Sequence, residues 1–233
     1  VTEHRNGTEN AMAIANLALL CGQIGRRSTG IMALRGQNNV QGATDMGPLP
    51  ATFPGYQPVN NPSVRQKFEQ AWGVPLPTGP GLKSVEMLDA AKNGALKALF
   101  ILGEDPAHTQ PNCTHVREAL SALDFLVVCD IFPTETTRFA HVILPGASFA
   151  EKDGTFTSGE RRIQRIRQAI NPLSGMADWQ MICELSRRMG YPMQYRHPSE
   201  VMEEIASLVP IYGGISYDRL VTGGIQWPCP THD

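Results

Sequence analysis

Hydrophobic and polar positions divide the chain into segments with helical spacing and short runs that are almost entirely apolar. The helical spacing predicts helices at 11–20, 63–72, 83–93, 114–122, 134–139, 178–189 and 198–208. Thr8 is the predicted N-cap of the first helix, and Gly22 lies just past its end. Asp178 is placed in the same way to cap the helix that follows it.

Three apolar runs predict a sheet. Residues 95–102, 125–128 and 141–144 lack alternation of apolar and polar positions, and predicted helices separate them. Such runs are typical of parallel strands buried on both faces. The expected fold class is therefore α/β, a Rossmann-like three-layer domain with a mostly parallel sheet. Farther on, 155–157 is an extended segment, whereas the spacing within 161–169 leaves helix or strand open.

Residues 22–62 are rich in Gly, Asn, Gln and Pro and have little periodicity. A disordered linker and a long functional loop both fit this composition. The segment includes Leu-Arg-Gly-Gln-Asn-Asn-Val-Gln-Gly at 34–42, in which Arg35 is the only cation. A guanidinium among carboxamides and glycines is a plausible receptor for a carboxylate or a phosphate.

Polar residues follow each of the three predicted strands. The positions of interest at the ends of the strands and in these polar or proline-bearing loops are Gly103, Glu104, Asp105, Thr109, Cys129, Asp130 and Gly146. Because ligands of open parallel sheets bind outside the carboxyl ends of the strands, these loops predict a nucleotide site. Turn or helix-cap roles for Asp105 and Asp130 are the structural alternative. Direct binding of NAD is disfavoured, since no G-x-G-x-x-G follows the first strand.

Composition narrows the class of partner. The 233 residues are 42% hydrophobic and 18% charged with a net charge of −2, so nucleic acid and anionic membranes are not expected partners. No apolar run approaches the roughly 20 residues of a membrane span, and no secretory signal is evident, which predicts a cytoplasmic location. Five scattered cysteines without C-x-x-C predict neither disulfides nor a metal held by protein side chains.

Several motifs occur together and in order along the chain. They are Arg-Gly-Gln-Asn-Asn-Val-Gln-Gly at 35–42, Asp-Met-Gly at 45–47, Phe-Pro-Gly-Tyr at 53–56, Gly-Glu-Asp-Pro at 103–106, Glu-Lys-Asp-Gly-Thr-Phe at 151–156 and Asp-Trp at 178–179. In these motifs the chain resembles the catalytic subunit of molybdenum- or tungsten-dependent formate dehydrogenases, within the molybdopterin oxidoreductase superfamily. The resemblance extends over nearly the whole chain.

The resemblance implies roles for individual residues. Arg35 would hold formate near the metal, and Gln37 would help to line the same pocket. The residues that would surround one molybdopterin guanine dinucleotide are Gly103, Glu104, Asp105, Thr109, Cys129, Asp130, Gly146 and Asp178. For Cys129 and Gly146, backbone contacts or thiol packing are the expected contributions.

The resemblance also implies an incomplete subunit. Residues 1–40 would finish a preceding α/β domain, and 41–233 would form most of a guanine dinucleotide-binding domain. The iron–sulfur segment and the cysteine or selenocysteine ligand would lie upstream, the second pterin-binding domain downstream, and electron-transfer subunits outside the chain. By itself the chain would then be inactive. Three alternatives stay open: another molybdopterin oxidoreductase such as a nitrate reductase, a non-catalytic subunit of a respiratory complex, and a free-standing sugar- or nucleotide-binding module.

Overall fold

The computed structural model describes residue 2 and residues 4–233. The α-helices in this part of the chain are α1 (Gly7–Leu20), α2 (Val40–Asp45), α3 (Pro62–Trp72), α4 (Ser84–Lys92), α5 (Pro106–Thr109), α6 (Cys113–Ser121), α7 (Asp178–Arg188) and α8 (Pro198–Leu208). The strands are β1 (Thr52–Phe53), β2 (Gln57–Pro58), β3 (Ala98–Leu102), β4 (Phe125–Asp130), β5 (Val142–Pro145), β6 (Gly154–Thr157), β7 (Arg162–Ile166) and β8 (Ile225–Gln226). Short 3-10 turns lie at Pro54–Tyr56, Thr136–Phe139, Phe149–Glu151 and Pro210–Tyr212. No helix among these residues is long and apolar enough to cross a membrane.

The predicted parallel sheet is confirmed. Strands β3, β4 and β5 pair side by side in that order, both pairs parallel. Leu102 lies opposite Cys129, and Asp130 lies opposite Pro145. The ends of the three strands therefore lie next to one another, so the residues after them share one edge.

Helices α4 and α6 cover one face of this sheet. Ala91 of α4 and Ala119 of α6 pack with Leu126 and Val128 of β4 in a buried core. The predicted burial on both faces is wrong for this part of the chain, because the opposite face carries large apolar side chains that remain partly exposed. The exposed fractions are 40% for Phe100, 47% for Leu102 and 45% for Phe125.

A second, antiparallel sheet consists of β6, β7 and β8. Its core joins Ile163 of β7 to Val209, Tyr212 and Leu220 near the end of the chain. The ambiguous segment 161–169 thus contains a strand, because one face of β7 packs on this core. The partner strand β8 was not predicted, since two residues carry no periodic pattern.

Two of the predicted caps are wrong. Helix α1 begins at Gly7 with Asn6 at its N-cap, so Thr8 lies inside the helix. Helix α7 begins at Asp178 with Ala177 at its N-cap. In the second case, the aspartate carboxylate has other partners, described below. Gly22 follows α1 with φ +63, as its predicted position past the helix end requires.

Helix α2 is the main unpredicted element. It lies inside the segment 22–62, which was predicted to be irregular. Its buried residues are Gln41, Gly42 and Asp45. A helix this short is stabilised by such tertiary contacts rather than by its own propensity, which explains why the sequence pattern missed it.

Candidate functional site

The loops after β3, β4 and β5 are joined by backbone hydrogen bonds. The amide of Gly103 donates to the carbonyl of Cys129 at 2.8 Å, and the amide of Gly146 donates to the carbonyl of Asp130 at 2.9 Å. These two bonds extend the sheet by one step past each strand. Both glycines therefore shape the carboxyl edge of the sheet through their backbone.

Glu104 and Thr109 form an exposed pair above the first of these loops. The Thr109 hydroxyl donates to Oε1 of Glu104 at 2.7 Å, so the pair connects the β3–α5 turn to the last residue of α5. Asp130 lies at the end of β4 and is half-buried, and its Oδ1 accepts from the amide of Ile131 at 2.7 Å. Both carboxylates lie at the rim of the edge.

Asp105 anchors a neighbouring turn. Its Oδ1 accepts from the Thr136 amide at 2.8 Å and from the Thr136 hydroxyl at 2.6 Å. Burial alone would raise the pKa of Asp105, but the hydrogen bonds from Thr136 outweigh it and hold the pKa below its usual value of 3.8. This oxygen therefore fixes the Thr136–Phe139 turn, in agreement with the structural alternative considered for Asp105.

Asp178 connects α7 to the loop after β5. Its Oδ1 accepts from the Ala147 amide at 2.8 Å, and its Oδ2 forms an ion pair with Lys152. Lys152 also donates to the Ala147 carbonyl at 2.9 Å. The buried thiol of Cys129 lies close by, and its pKa is raised by burial and then by the charges of Asp178 and Asp130. Lys152 was not singled out in the sequence analysis.

Arg35 lies on an exposed loop that precedes α2. Its Nη2 donates to Oε1 of Gln41 at 3.2 Å. The same loop is tied to the second sheet, because Oδ1 of Asn39 accepts from the Thr157 amide at 2.9 Å. Gln37 is exposed on this loop as well.

Behind Arg35 lies a fully buried carboxylate, Asp45. Its Oδ1 accepts from Gln41 Nε2 at 2.9 Å and from the Tyr56 hydroxyl at 2.8 Å. Its Oδ2 accepts from the Tyr212 hydroxyl at 2.7 Å and from Trp227 Nε1 at 2.8 Å. We call these five residues the Asp45 cluster. No local sequence pattern indicates this cluster, because Tyr212 and Trp227 are far from Asp45 along the chain.

The electrostatics of the Asp45 cluster follow from its burial. Burial, and then the hydrogen bond to Asp45 and its charge, raise the pKa of Tyr56 to about 12. The same causes raise the pKa of Tyr212 further above its usual value. Both hydroxyls therefore stay protonated and continue to donate to Asp45 at neutral pH.

The structure thus places the singled-out residues in two groups. The residues after the strands, together with Asp178, lie along the carboxyl edge of the parallel sheet. Arg35 and Gln37 lie on the loop before α2, next to the Asp45 cluster. In the described part of the chain, no three His, Cys, Asp or Glu side chains converge as a potential metal-binding group.

Comparison with known protein families assigns this chain to a family. The sequence model of the molybdopterin oxidoreductase family matches residues 1–188. The chain therefore belongs to the molybdopterin oxidoreductase family.

Individual relatives are similar over nearly the whole chain. The F420-dependent formate dehydrogenase subunit alpha of Methanocaldococcus jannaschii is 47% identical over 98% of this chain and 34% of the relative. Formate dehydrogenase H of Escherichia coli is 43% identical over 98% of this chain and 32% of the relative. The probable oxidoreductase YjgC of Bacillus subtilis is 46% identical over 98% of this chain and 23% of the relative. The chain thus spans about a quarter to a third of the length of these relatives.

A solved structure supports the fold. Acetylene hydratase from Pelobacter acetylenicus superposes with a TM-score of 0.52 at 18% identity, covering 71% of this chain and 24% of that protein. At this identity the likeness concerns the fold alone. It agrees with an α/β architecture of the molybdopterin enzyme type.

Proposed function

We propose that this chain forms part of the catalytic subunit of a formate dehydrogenase, which oxidises formate to carbon dioxide. The relatives named formate dehydrogenase support the reaction class. The observation that carries the proposal is Arg35, an exposed guanidinium held by Gln41 on a loop that Asn39 ties to β6.

In this proposal Arg35 binds and orients the substrate. Formate is a bare carboxylate, and a guanidinium offers it two parallel N–H donors in a planar fork. Two such bonds fix the direction of the formate C–H, which a single rotating ammonium would leave free. When bound, a molybdenum or tungsten centre would supply the two-electron chemistry, while this chain holds and directs the substrate.

The carboxyl edge of the sheet is the proposed site of a molybdopterin guanine dinucleotide. Glu104 and Asp130 place hydrogen-bond acceptors at its rim. The guanine ring edge and the ribose hydroxyls are donors, so this set fits the guanosine end of the cofactor. Lys152 adds a third N–H donor suited to phosphate oxygens, and Thr109 holds the Glu104 carboxylate at the rim by its hydrogen bond. Gly103, Cys129 and Gly146 would shape the edge, and Asp105 and Asp178 would hold its loops.

Substitution of Arg35 in the intact holoenzyme tests the proposal. We expect Arg35→Ala to lower kcat/KM for formate at least about a hundredfold, since a charge-assisted bidentate contact is lost. Arg27→Ala is the matched control, because Arg27 is an exposed arginine on the same stretch of chain. Equal kinetics for the two variants, at equal metal and pterin content, would exclude Arg35 from substrate binding.

The same holoenzyme distinguishes the remaining alternatives. A substrate panel that favours nitrate over formate would assign the chain to another reaction of this family. A matured protein that contains neither metal nor pterin would identify a non-catalytic homologue. The iron–sulfur cluster, the electron-transfer subunits, the second pterin-binding domain and a cytoplasmic location stay predictions.

A further inference from the structure

The Gln41 carboxamide can adopt only one orientation in the Asp45 cluster. Its Nε2 donates to Oδ1 of Asp45 at 2.9 Å and to the Tyr56 oxygen at 3.2 Å. The Tyr56 hydrogen is already directed to Asp45, so both groups act as acceptors toward Gln41. A flipped amide would place its oxygen against two acceptors in a buried site, which costs free energy.

The orientation of the Gln41 amide determines which of its atoms contacts Arg35. With Nε2 held on the buried side, Oε1 of Gln41 faces outward and accepts from Arg35 Nη2 at 3.2 Å. Gln41 itself is only 6% exposed, so its position is set by the protein interior. Gln41 thereby connects the Arg35 guanidinium to the buried carboxylate of Asp45.

Gln41 is also electrically neutral. A carboxylate in direct contact with Arg35 would cancel its charge and compete with an anionic substrate. An amide oxygen provides a hydrogen-bond acceptor and leaves the full positive charge of the guanidinium available. Asp45 therefore orients Arg35 through Gln41 without neutralising it.

We propose that Gln41 is a positioning residue, oriented by Asp45 and Tyr56, which holds Arg35 for a small carboxylate substrate while preserving its charge. This inference rests on the proposed role of Arg35 in formate binding. It assigns to the buried polar cluster a part in substrate affinity in addition to its part in stability.

The first test compares two glutamine-to-methionine variants of the intact holoenzyme. Gln41→Met keeps the length of the side chain but removes the acceptor for Arg35, and we expect KM for formate to rise about tenfold with a smaller change in kcat. Gln57→Met is the matched control, because Gln57 is a half-buried glutamine whose Nε2 also donates two hydrogen bonds, to the carbonyls of Pro54 and Leu208. A KM for Gln41→Met equal to that of Gln57→Met overturns the proposal.

The second test uses pH. The charged and titratable groups around position 41 are Arg35, Asp45, Tyr56 and, beyond Asp45, Tyr212. In Gln41→Glu, burial and the Asp45 carboxylate raise the pKa of the introduced carboxyl, whereas exposed Arg35 opposes them weakly. When protonated, this carboxyl can still donate to Asp45 and accept from Arg35, losing only the second donated bond, to Tyr56. When ionised, it neutralises Arg35.

We therefore expect KM for formate in Gln41→Glu to be near the wild-type value at low pH and to rise with pH, relative to the wild-type profile. A purely structural role predicts a constant ratio of the two KM values at all pH values, and this result would refute the charge argument.

Arg35→Ala separates the two proposals. If it impairs formate binding while both Gln41 variants do not, only the positioning role of Gln41 fails.

Discussion

The carboxylate of Asp178 accepts a hydrogen bond from the backbone amide of Ala147 at 2.8 Å, which ties the first turn of α7 to the loop after β5. Lys152 contacts both partners, since it pairs with the Asp178 carboxylate and donates to the Ala147 carbonyl. A single acidic side chain thus holds one of the three loops at the proposed nucleotide edge.

Replacing Asp178 should loosen the loop after β5. In Asp178→Ala, the Ala147 amide loses its acceptor and Lys152 loses its partner, so we expect faster hydrogen exchange at Ala147 and a lower content of bound guanine dinucleotide. Hydrogen–deuterium exchange of the holoenzyme measures the first effect. Asp218→Ala, at an exposed aspartate, is the control. Unchanged exchange at Ala147 would show that this bond does not hold the loop.

Asp105 should make stability depend on pH in the acidic range. Because the pKa of Asp105 is lowered in the folded state, its contribution is fully present above the unfolded value of 3.8 and is lost as pH falls toward the folded pKa. Asp105→Asn should therefore unfold at a lower temperature at neutral pH but lose less stability on acidification below about pH 4. Thermal unfolding at several pH values tests this, with Asp124→Asn, whose side chain is 69% exposed, as control. Parallel pH profiles for wild type and Asp105→Asn would contradict the prediction.

Asp45→Asn should destabilise the fold strongly. An asparagine offers one oxygen and one NH2 group where four donors converge, so two donors would face another donor in a fully buried site. Unsatisfied buried donors cost about 1–3 kcal/mol each. We expect a loss of roughly 2–4 kcal/mol, measured as a lower midpoint of denaturant unfolding followed by tryptophan fluorescence. A variant as stable as Asp218→Asn would rule out a structural role for the cluster.

Gly42→Ala should displace the Arg35 loop from β6. A Cβ at this helical position would lie 2.4 Å from Oδ1 of Asn39, the atom that accepts from Thr157. Ala is normally favoured over Gly in a helix by up to about 1 kcal/mol, so a loss of stability here would reveal the clash. Gly79→Ala is the control for an added methyl group without a clash, since Gly79 lies outside the helices and a Cβ there meets no atom within 4 Å. Equal unfolding midpoints for the two variants would argue against the close approach.

Local pattern predicted the parallel sheet and most helices for a clear physical reason. In a run such as 125–128, alternate residues (Leu126 and Val128) are apolar because helices α4 and α6 bury them, and the order of the runs along the chain indicates which strands are neighbours. The sequence pattern alone therefore places the loops after β3, β4 and β5 at one edge of the sheet. Helix α2 and strand β8 were not predictable in this way, because each is short and is stabilised by residues distant in sequence.

The residues of the candidate site also divide into those with a local sequence signal and those brought together only by the fold. Arg35 and the acidic loops stand out as local motifs, so the sequence identified them as candidates. The Asp45 cluster was missed, because its donors come from the 54–56 turn, the 210–212 turn and Trp227, with no local signal that joins them. Lys152 was missed for a similar reason, since its importance depends on where Asp178 lies in space.

The uncovered face of the parallel sheet has a practical consequence. Phe100, Leu102 and Phe125 expose apolar surface to water, and exposed apolar surfaces on separate molecules attract one another. Preparations of this chain alone should therefore aggregate as the protein concentration rises. Light scattering would detect this aggregation, and a mild detergent would reduce it.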